Sequence, residues 1–366
     1  MSFNHKKLVT FFSPDMQGGG AERVISTLIT SFSKKGYNID LLLLKKEGPY
    51  LKDIPSNVNI IEFRTKKLIY SIPKLIKYLF LNKPDIIFTS HIHFSTVVSF
   101  FSKISSPQTS VIIRQPTMLY PSQKKMNFLD LLRLKIFRYS LSFVDKIVLS
   151  SNFMRDEFLK FAFSTSHKIY VVHNPVNIDN VKINCKEKIT DLFFVDNLPK
   201  IISVGRMTEV KDFSTLIKAF SIVRNKVPCK LIILGDGSLK PNLIKLTKKL
   251  CIEDYVLMPG FVNNPHKYIV ASDIFVSCSL WEGFPNVLVE AMACDVKIVA
   301  TNCEGGTSEI LESGKWGSLV PISNEFELAN SIIKSLQESK SNEASVRVKD
   351  FSVQKISDEY EKIFFN

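Results

Sequence analysis

Two glutamates with seven residues between them define the most informative stretch of this chain, SLWEGFPNVLVEAMACDVKIVATNCEGGTSEIL. Glu282 falls in a Gly- and Pro-containing loop after Ile274–Ser277, an apolar run that reads as a buried strand. Pro285 and Asn286 then open a helix. The amides around Phe284, Asn286, Val287 and Leu288 therefore stand at a helix N-terminus, where unpaired N–H groups and the helix dipole suit a phosphate. Glu290, about one turn further in, can take both hydroxyls of a ribose, while Glu282 is placed to reach a sugar. The plainer reading makes Glu290 an exposed helix residue, against which stand its neighbours Val289, Ala291, Met292 and Ala293.

Three further segments have residue types that fit the same ligand. In VGRMTEVKDF, Arg206 follows an apolar strand and Lys211 precedes the next helix. Two cations at a strand end suit a pyrophosphate, although such a pair can equally be surface charge. In SPDMQGGGAERV, Gly18, Gly19 and Gly20 allow a close backbone approach and run into a helix N-terminus; a flexible turn is the alternative. In TSHIHFST, His91 and His93 follow the run 86–90. A histidine at a strand's carboxyl end can donate a hydrogen bond to a transferring sugar, or serve only structure.

The elements that must position these residues alternate strand and helix. Strands are predicted at Leu8–Ser13, 39–44, 86–90, 110–114, 146–150 and 169–172, with helices over 22–35 and 68–81. After a turn-rich linker, HNPVNIDNVKINCKEKITDLFFVDNLPK, a second series follows at 201–204, Lys230–Leu234, 255–259, Ile274–Ser277, 297–300 and 317–320. Val353–Phe365 closes as an amphipathic helix. Alternation of this kind predicts parallel sheets with helices on both faces, and ligands at the carboxyl ends of the strands.

Length and composition agree with this organisation. The 366 residues suit two domains, and 45% apolar with 23% charged residues is globular composition. No apolar run reaches the roughly 20 residues of a spanning helix, and the opening MSFNHKKLVTFF reads as a first buried strand rather than a signal sequence. The six cysteines, all in the second half, show no CxxC pair and read as reduced. Net charge is +13, and all of the excess lies early: 25 Lys+Arg against 11 Asp+Glu up to residue 178, then 23 against 24. The segments 66–83 and 122–140 concentrate it, interleaving cations with large apolar side chains. Each suits an anionic membrane surface, or a solvated helix with a buried stripe. No nucleic-acid module accompanies the charge.

GGGAERV, VGRMTEVKDF and SLWEGFPNVLVEAMAC together resemble the retaining GT-B glycosyltransferases related to bacterial mannosyl- and N-acetylhexosaminyltransferases. The likeness spans nearly the whole chain and is most specific over 277–300. GGGAER with HNPVN is similar to the branch that builds polyprenyl-diphosphate-linked glycans. The resemblance implies an α/β fold of GT-B architecture, two Rossmann-like doubly wound parallel-sheet domains facing across a cleft. Residues 1–178 would bind the acceptor and 179–350 the nucleotide sugar, with a helix in 351–366 crossing back to the N-terminal domain. The implied activity is retaining transfer of a hexose or N-acetylhexosamine, from a UDP-sugar to a lipid-linked saccharide, in surface glycan synthesis of the O-antigen or capsule type.

Carried over by motif position, Arg206 and Lys211 would neutralise the departing diphosphate, Glu290 would hold the ribose and Glu282 the donor sugar. Phe284, Pro285 and Asn286 would shape the donor loop. Gly18, Gly19 and Gly20 would approach the donor phosphates. His91 maps one residue away from the family's cleft histidine, and His93 and Arg114 are acceptor-side candidates. Asp212 stands where the family often has glycine. No Asp-x-Asp motif occurs, so transfer is expected to need neither metal nor cofactor. The expected location is cytoplasmic, peripheral at the cytoplasmic face of the inner membrane through the basic N-terminal domain. A transferase for a soluble or protein acceptor and a nucleotide-sugar epimerase are the alternatives.

Overall fold

The computed structural model describes residues 7–17, 19–119, 127–338 and 344–365. The chain divides into two compact units, Met1–Pro175 with Val353–Asn366, and Val176–Ser352.

In the first unit, strands β1 (Leu8–Ser13), β2 (Asn38–Leu43), β3 (Asn59–Glu62), β4 (Ile86–Thr89), β5 (Ser110–Gln115), β6 (Lys146–Leu149) and β7 (Ile169–Val171) form one parallel sheet in the order β3-β2-β1-β4-β5-β6-β7. Helices α1 (Gly20–Lys34), α2 (Ile72–Asn82), α3 (Ile92–Ser105), α4 (Phe128–Ser140) and α5 (Asn152–Ala162) connect the strands. Because helices cover the sheet, its strands bury both faces, which is why β1 is apolar nearly throughout. Val24, Ile25, Leu28, Ile29 and Phe32 of α1 recur at helical spacing and are buried in the same core.

The second unit begins with α6 (Ile178–Asn184). Strands β8 (Lys200–Val204), β9 (Lys230–Leu234), β10 (Val256–Gly260), β11 (Ile274–Ser277), β12 (Lys297–Thr301) and β13 (Ser318–Val320) make a parallel sheet ordered β10-β9-β8-β11-β12-β13. The helices that follow are α7 (Phe213–Arg224), α8 (Lys240–Lys249), α9 (His266–Val270), α10 (Asn286–Ala293), α11 (Thr307–Ile310), α12 (Glu325–Gln337) and α13 (Ala344–Val348). Both units are thus doubly wound and Rossmann-like. The direction of winding reverses between β1 and β4 in the first sheet, and between β8 and β11 in the second. Such reversals splay the connecting loops apart and leave a crevice at the strand carboxyl ends.

The last helix, α14 (Val353–Phe365), belongs to the first unit. Ile356, Tyr360, Ile363 and Phe364 enter its core, where Phe364 meets Phe32 edge-on at 5.2 Å and Phe11 at 6.4 Å. Burying each such side chain is worth about 1.5–3 kcal/mol. Lys35 also pairs with Asp358 and Glu361.

Three expectations need correction. The division between units falls at Pro175–Val176, not after residue 178, and Phe351 and Ser352 stay with the second unit. The Val176 amide donates to the Phe351 carbonyl at 2.8 Å, and the Phe351 ring is fully buried. The supposed linker is folded: α6 starts under an Asn177 cap that accepts from the Asn180 amide. Beyond it, Lys230 lies over the Phe193 ring at 4.4 Å. Finally, β3 was not foreseen, being short, only half-buried and flanked by the polar Asn59 and Glu62.

Candidate active site

The loops after β8 and β11 carry three of the expected residues to one crevice of the second unit. β8 delivers Gly205, Arg206 and, through a short 3-10 turn, Lys211. Asp212 follows with φ 41° and ψ 44°, in the left-handed region. That conformation explains why glycine suits this position. An aspartate is among the side chains that tolerate it, and here it also caps α7 by accepting from the Thr215 amide. β11 delivers Cys278, Ser279 and Glu282. The Leu280 amide hooks the two loops together by donating to the Val210 carbonyl at 2.8 Å.

Lys211 and Glu282 form an ion pair between these loops. Their side chains keep 21% and 13% of their exposure, so the pair is partly screened by protein but open enough to meet a ligand. Ser279 Oγ donates to the same carboxylate oxygen at 2.7 Å. The aliphatic stem of Lys211 rests on Gly205, where a Cβ would stand 3.1 Å from Cε. Arg206 is exposed and has no ion pair among the described residues.

A third loop, after β12, supports Glu282 from behind. The Glu282 amide donates to the Glu304 carbonyl at 2.8 Å and the Gly306 amide to the Gly283 carbonyl at 3.0 Å. Gly305 has φ +118°, and a Cβ on it would lie 1.7 Å from the Glu282 carbonyl oxygen. Gly305 and Gly306 were not singled out from the sequence. The two consecutive glycines after a strand were the available signal.

Glu290 is not an exposed helix residue. It is 4% exposed on α10, with Oε2 3.3 Å from His266 Nε2, and His266 Nδ1 lies 3.2 Å from Asn184 Nδ2. His266 was also missed, because nothing local in its segment signals a partner. The helix N-terminus offers fewer groups than expected. The Leu288 amide already donates to the Pro285 carbonyl at 2.9 Å. The Leu288 side chain is fully buried, and Phe284, 7% exposed, packs edge-on against Phe351 at 5.6 Å. Phe284 and Leu288 are therefore core residues that hold the loop. Pro285 is buried too, while Asn286 and Val287 are half-buried.

In the first unit, Gly18 lies outside the described residues. Gly19 precedes α1, but its amide donates to the Gln17 carbonyl at 2.8 Å. Glu22 folds back beneath it: a Cβ on Gly19 would stand 2.0 Å from Glu22 Oε2. A carboxylate thus already faces this helix N-terminus, which disfavours the phosphate expected there. Gly20 is exposed at the helix start.

Glu22 Oε1 lies 3.1 Å from His91 Nε2, across the β1–β4 reversal. His91 precedes α3, and its Nδ1 is buried without a hydrogen-bond partner. Burial pushes the Glu22 carboxyl up, but the His91 hydrogen bond, its own amide and the charges of His91 and Arg114 bring it below the ordinary value. His93 is exposed on α3, its pKa lowered by desolvation and by the charges of Arg133 and His91. Of the two histidines, His91 therefore occupies the reversal.

Arg114 is not offered to an acceptor. It is 1% exposed and its Nη2 bonds Asn174, with the buried Tyr360 of α14 beside it. Among the described residues no group of three or more His, Cys, Asp or Glu side chains converges to hold a metal ion.

Residues 18–180 match the family model of glycosyltransferase family 4, and residues 186–348 that of glycosyl transferases group 1. The chain is 28% identical to the N-acetylgalactosamine-N,N'-diacetylbacillosaminyl-diphospho-undecaprenol 4-alpha-N-acetylgalactosaminyltransferase of Campylobacter jejuni, over 94% of this chain and 96% of that protein. It is 30% identical to an uncharacterized glycosyltransferase of Methanocaldococcus jannaschii, over 81% and 82%. Among solved structures, Anabaena HepE in complex with UDP and glucose shares the fold at a TM-score of 0.82 and 18% identity, over 97% of this chain and 98% of that one.

Proposed function

The chain belongs to the group 1 glycosyltransferases, and from that premise we propose that it moves a hexose or N-acetylhexosamine from a UDP-sugar to a polyprenyl-diphosphate-linked saccharide, with retention and without a metal. The observation that carries the donor half is the Lys211–Glu282 pair beside Arg206 at the β8–β11 reversal. A sugar diphosphate needs fixed positive charge at the departing phosphates and polar groups at the sugar. Arg206 and Lys211 supply the first; Glu282, steadied by Ser279, supplies the second. Glu290, positioned by His266 at 3.3 Å, is the group we assign to the ribose.

In this reaction the donor's C1–O bond to phosphate breaks and the acceptor oxygen bonds to C1 from the same face. The acceptor proton passes to the leaving phosphate oxygen. His91, paired with Glu22 at 3.1 Å, is the polar group at the β1–β4 reversal of the first unit. Two names support the chosen substrates: the Campylobacter relative is called a transferase acting on a diphospho-undecaprenol-linked sugar, and HepE was solved with UDP. The acceptor belongs to the first unit, whose excess of cations suits the cytoplasmic face of an anionic inner membrane and a role in surface glycan assembly.

The test is transfer of labelled sugar from a panel of nucleotide sugars to a short-chain polyprenyl-diphosphate saccharide in the presence of EDTA, with the product's anomeric configuration read by NMR. Transfer from a UDP-sugar with an unchanged anomer is expected. Loss of activity that manganese restores would overturn the metal-free mechanism, and interconversion of donors with no acceptor present would favour an epimerase.

A further inference from the structure

Cys185 and Cys294 are 109 residues apart in sequence, yet their sulfurs lie 3.3 Å apart in the second unit. Each ends a helix: Cys185 is the C-cap of α6 and Cys294 the C-cap of α10. Both are thiols, since no disulfide links any of the six cysteines. Cys185 is half-buried and within reach of a small reagent, while Cys294 is 4% exposed. A partly open thiol in contact with a sheltered one is an arrangement that can take up a disulfide and close it.

The pair sits against the residue that positions Glu290. Cys185 Sγ lies 3.8 Å and Cys294 Sγ 3.9 Å from the His266 carbonyl oxygen. Two thiol hydrogens thus serve three contacts, the third being the one between the sulfurs. The His266 ring joins the neighbours of both cysteines. Its Nδ1 lies 3.2 Å from Nδ2 of Asn184, the residue before Cys185, and its Nε2 3.3 Å from Glu290 Oε2. Because Asn184 Nδ2 can only donate, Nδ1 accepts, and the ring hydrogen on Nε2 points to the Glu290 carboxylate. Glu290 stands one helical turn before Cys294, whose amide donates to the Glu290 carbonyl at 3.0 Å. The two cysteines therefore flank the Asn184–His266–Glu290 chain at both ends and touch its middle.

We propose that Cys185 and Cys294 are a modification site for small-molecule disulfides, and that closing the bridge loosens the hold of Glu290 on the donor ribose. The Cys185 thiolate attacks one sulfur of oxidised glutathione and expels one glutathione thiolate. The Cys294 thiolate then attacks Cys185 Sγ in the mixed disulfide and expels the second. The pair gives up two electrons and two protons, which leave as two glutathione thiols. A disulfide carries no S–H, so the His266 carbonyl loses both sulfur donors at once. The sulfurs also close from 3.3 Å to about 2.0 Å, drawing the end of α6 and Asn184 toward the end of α10. His266 shifts with its carbonyl and its Asn184 partner, and the hydrogen bond that aims the Glu290 carboxylate weakens. Burial pushes the Cys185 thiol up, an effect that its hydrogen bond with Cys294 opposes, so the exchange is slow at neutral pH. The bridge itself stands on the contact of the sulfurs, whereas its effect on binding rests on the ribose role given to Glu290 above.

The test is incubation of the full chain with oxidised glutathione at mildly alkaline pH, followed by reduction with dithiothreitol. A non-reducing peptide map locates any bond, and calorimetry measures binding of UDP and of an analogue lacking both ribose hydroxyls in each state. We expect a bond from Cys185 to Cys294, UDP binding weakened at least about fivefold and restored by dithiothreitol, and the analogue bound alike in both states. Cys185→Ser and Cys294→Ala should each abolish the response, while Cys251→Ser, which removes an exposed thiol, should keep it. Circular dichroism checks that the variants fold, and the map of the natural chain decides the bridge without them. Glutathione left on Cys185, a bond to another cysteine or an unmodified pair overturns the proposal. So does a bridged chain that binds UDP within a factor of about two of the reduced one, or that loses the analogue equally. If the reduced chain does not distinguish UDP from the analogue, the ribose role of Glu290 fails and the effect on binding falls with it, while the map still decides the bridge.

Discussion

Replacing Lys211 by methionine separates what the Lys211–Glu282 pair does for folding from what it does for catalysis. Methionine keeps most of the stem that rests on Gly205 but leaves the Glu282 carboxylate, 13% exposed, with Ser279 as its remaining partner among those described. Stripping one partner from a fully buried pair costs about 3–5 kcal/mol. Both ends here retain some solvent and Ser279 still donates, so we expect about 2 kcal/mol lost from the second unit. Adding Glu282→Gln removes the stranded charge. The double variant should then lose less than the sum of the singles, with a coupling of about 1–2 kcal/mol. Catalysis should not recover in the same way, since a cation on the departing phosphate is worth about 100-fold or more and glutamine cannot replace it. The chain's two tryptophans, Trp281 and Trp316, both lie in the second unit. Urea unfolding followed by their emission therefore reports that unit, and initial rates with varied donor report turnover. Additive losses in stability, or a Lys211→Met turnover within a factor of about three of the natural chain, would refute the assignment of the pair.

Arg206→Ala should raise KM for the donor more than it lowers kcat, read from the same initial rates. Gly305→Ala forces a side chain into left-handed backbone and toward the Glu282 carbonyl; it should cost about 1–3 kcal/mol in the tryptophan-reported unfolding and slow transfer at least about tenfold. Phe364→Ala, at a site 4% exposed among Phe11, Phe32 and Phe88, should cost about 3–5 kcal/mol in unfolding monitored by circular dichroism. Acid should destabilise the first unit in two steps. His93 has a lowered folded pKa, so its contribution is present above the ordinary value of 6.5 and is lost as pH falls below it. Glu22 is also lowered, so its contribution holds above 4.5 and is lost as pH falls through its folded value. Glu22→Gln should flatten only the more acidic step, measured as unfolding free energy against pH.

Arg206, Lys211 and Glu282 were legible because their local settings say so: a cation or carboxylate in a short loop after an apolar strand. That they serve one ligand was expected; the direct Lys211–Glu282 ion pair was not, because the two residues are 71 apart in sequence and their contact depends on β8 lying beside β11. The Glu22–His91 pair was hidden for the same reason, since it requires β1 beside β4. The glycine loop misled because its three glycines drew attention from the acid that follows. Glu22 in the first turn was the sign that this helix N-terminus serves its own chain. Amide supply was overcounted at α10 because a helix often opens with a tighter turn, which consumes the Leu288 amide. The exposure of Phe128, Leu132, Ile136 and Tyr139 on α4 was invisible to periodicity alone. A helical apolar pattern shows that a stripe exists but not which way it faces, and only α4's Leu134 and Phe137 settle the direction.

In the proposed reaction the two cations of the β8–β11 crevice differ in what a diphosphate must displace to reach them. Arg206 is exposed and unpaired among the described residues, so it can engage the donor phosphates as soon as they arrive, and its contribution is already made in the ground state. Interactions equal in ground and transition states lower KM without raising kcat. Lys211 already has an anion, so in the ground state the donor phosphate competes with Glu282 for the same ammonium. As the C1–O bond breaks, negative charge grows on the departing phosphate and positive charge on the sugar. Lys211 is then drawn toward the phosphate and Glu282 toward the sugar, so the pair separates its charges along the same axis as the reaction. The attraction between them opposes that motion least when the substrate carries the most charge. In that reading an ion pair that adds no net charge to the crevice becomes selective for the transition state, which is why the loss at Lys211 should fall on kcat and the loss at Arg206 on KM.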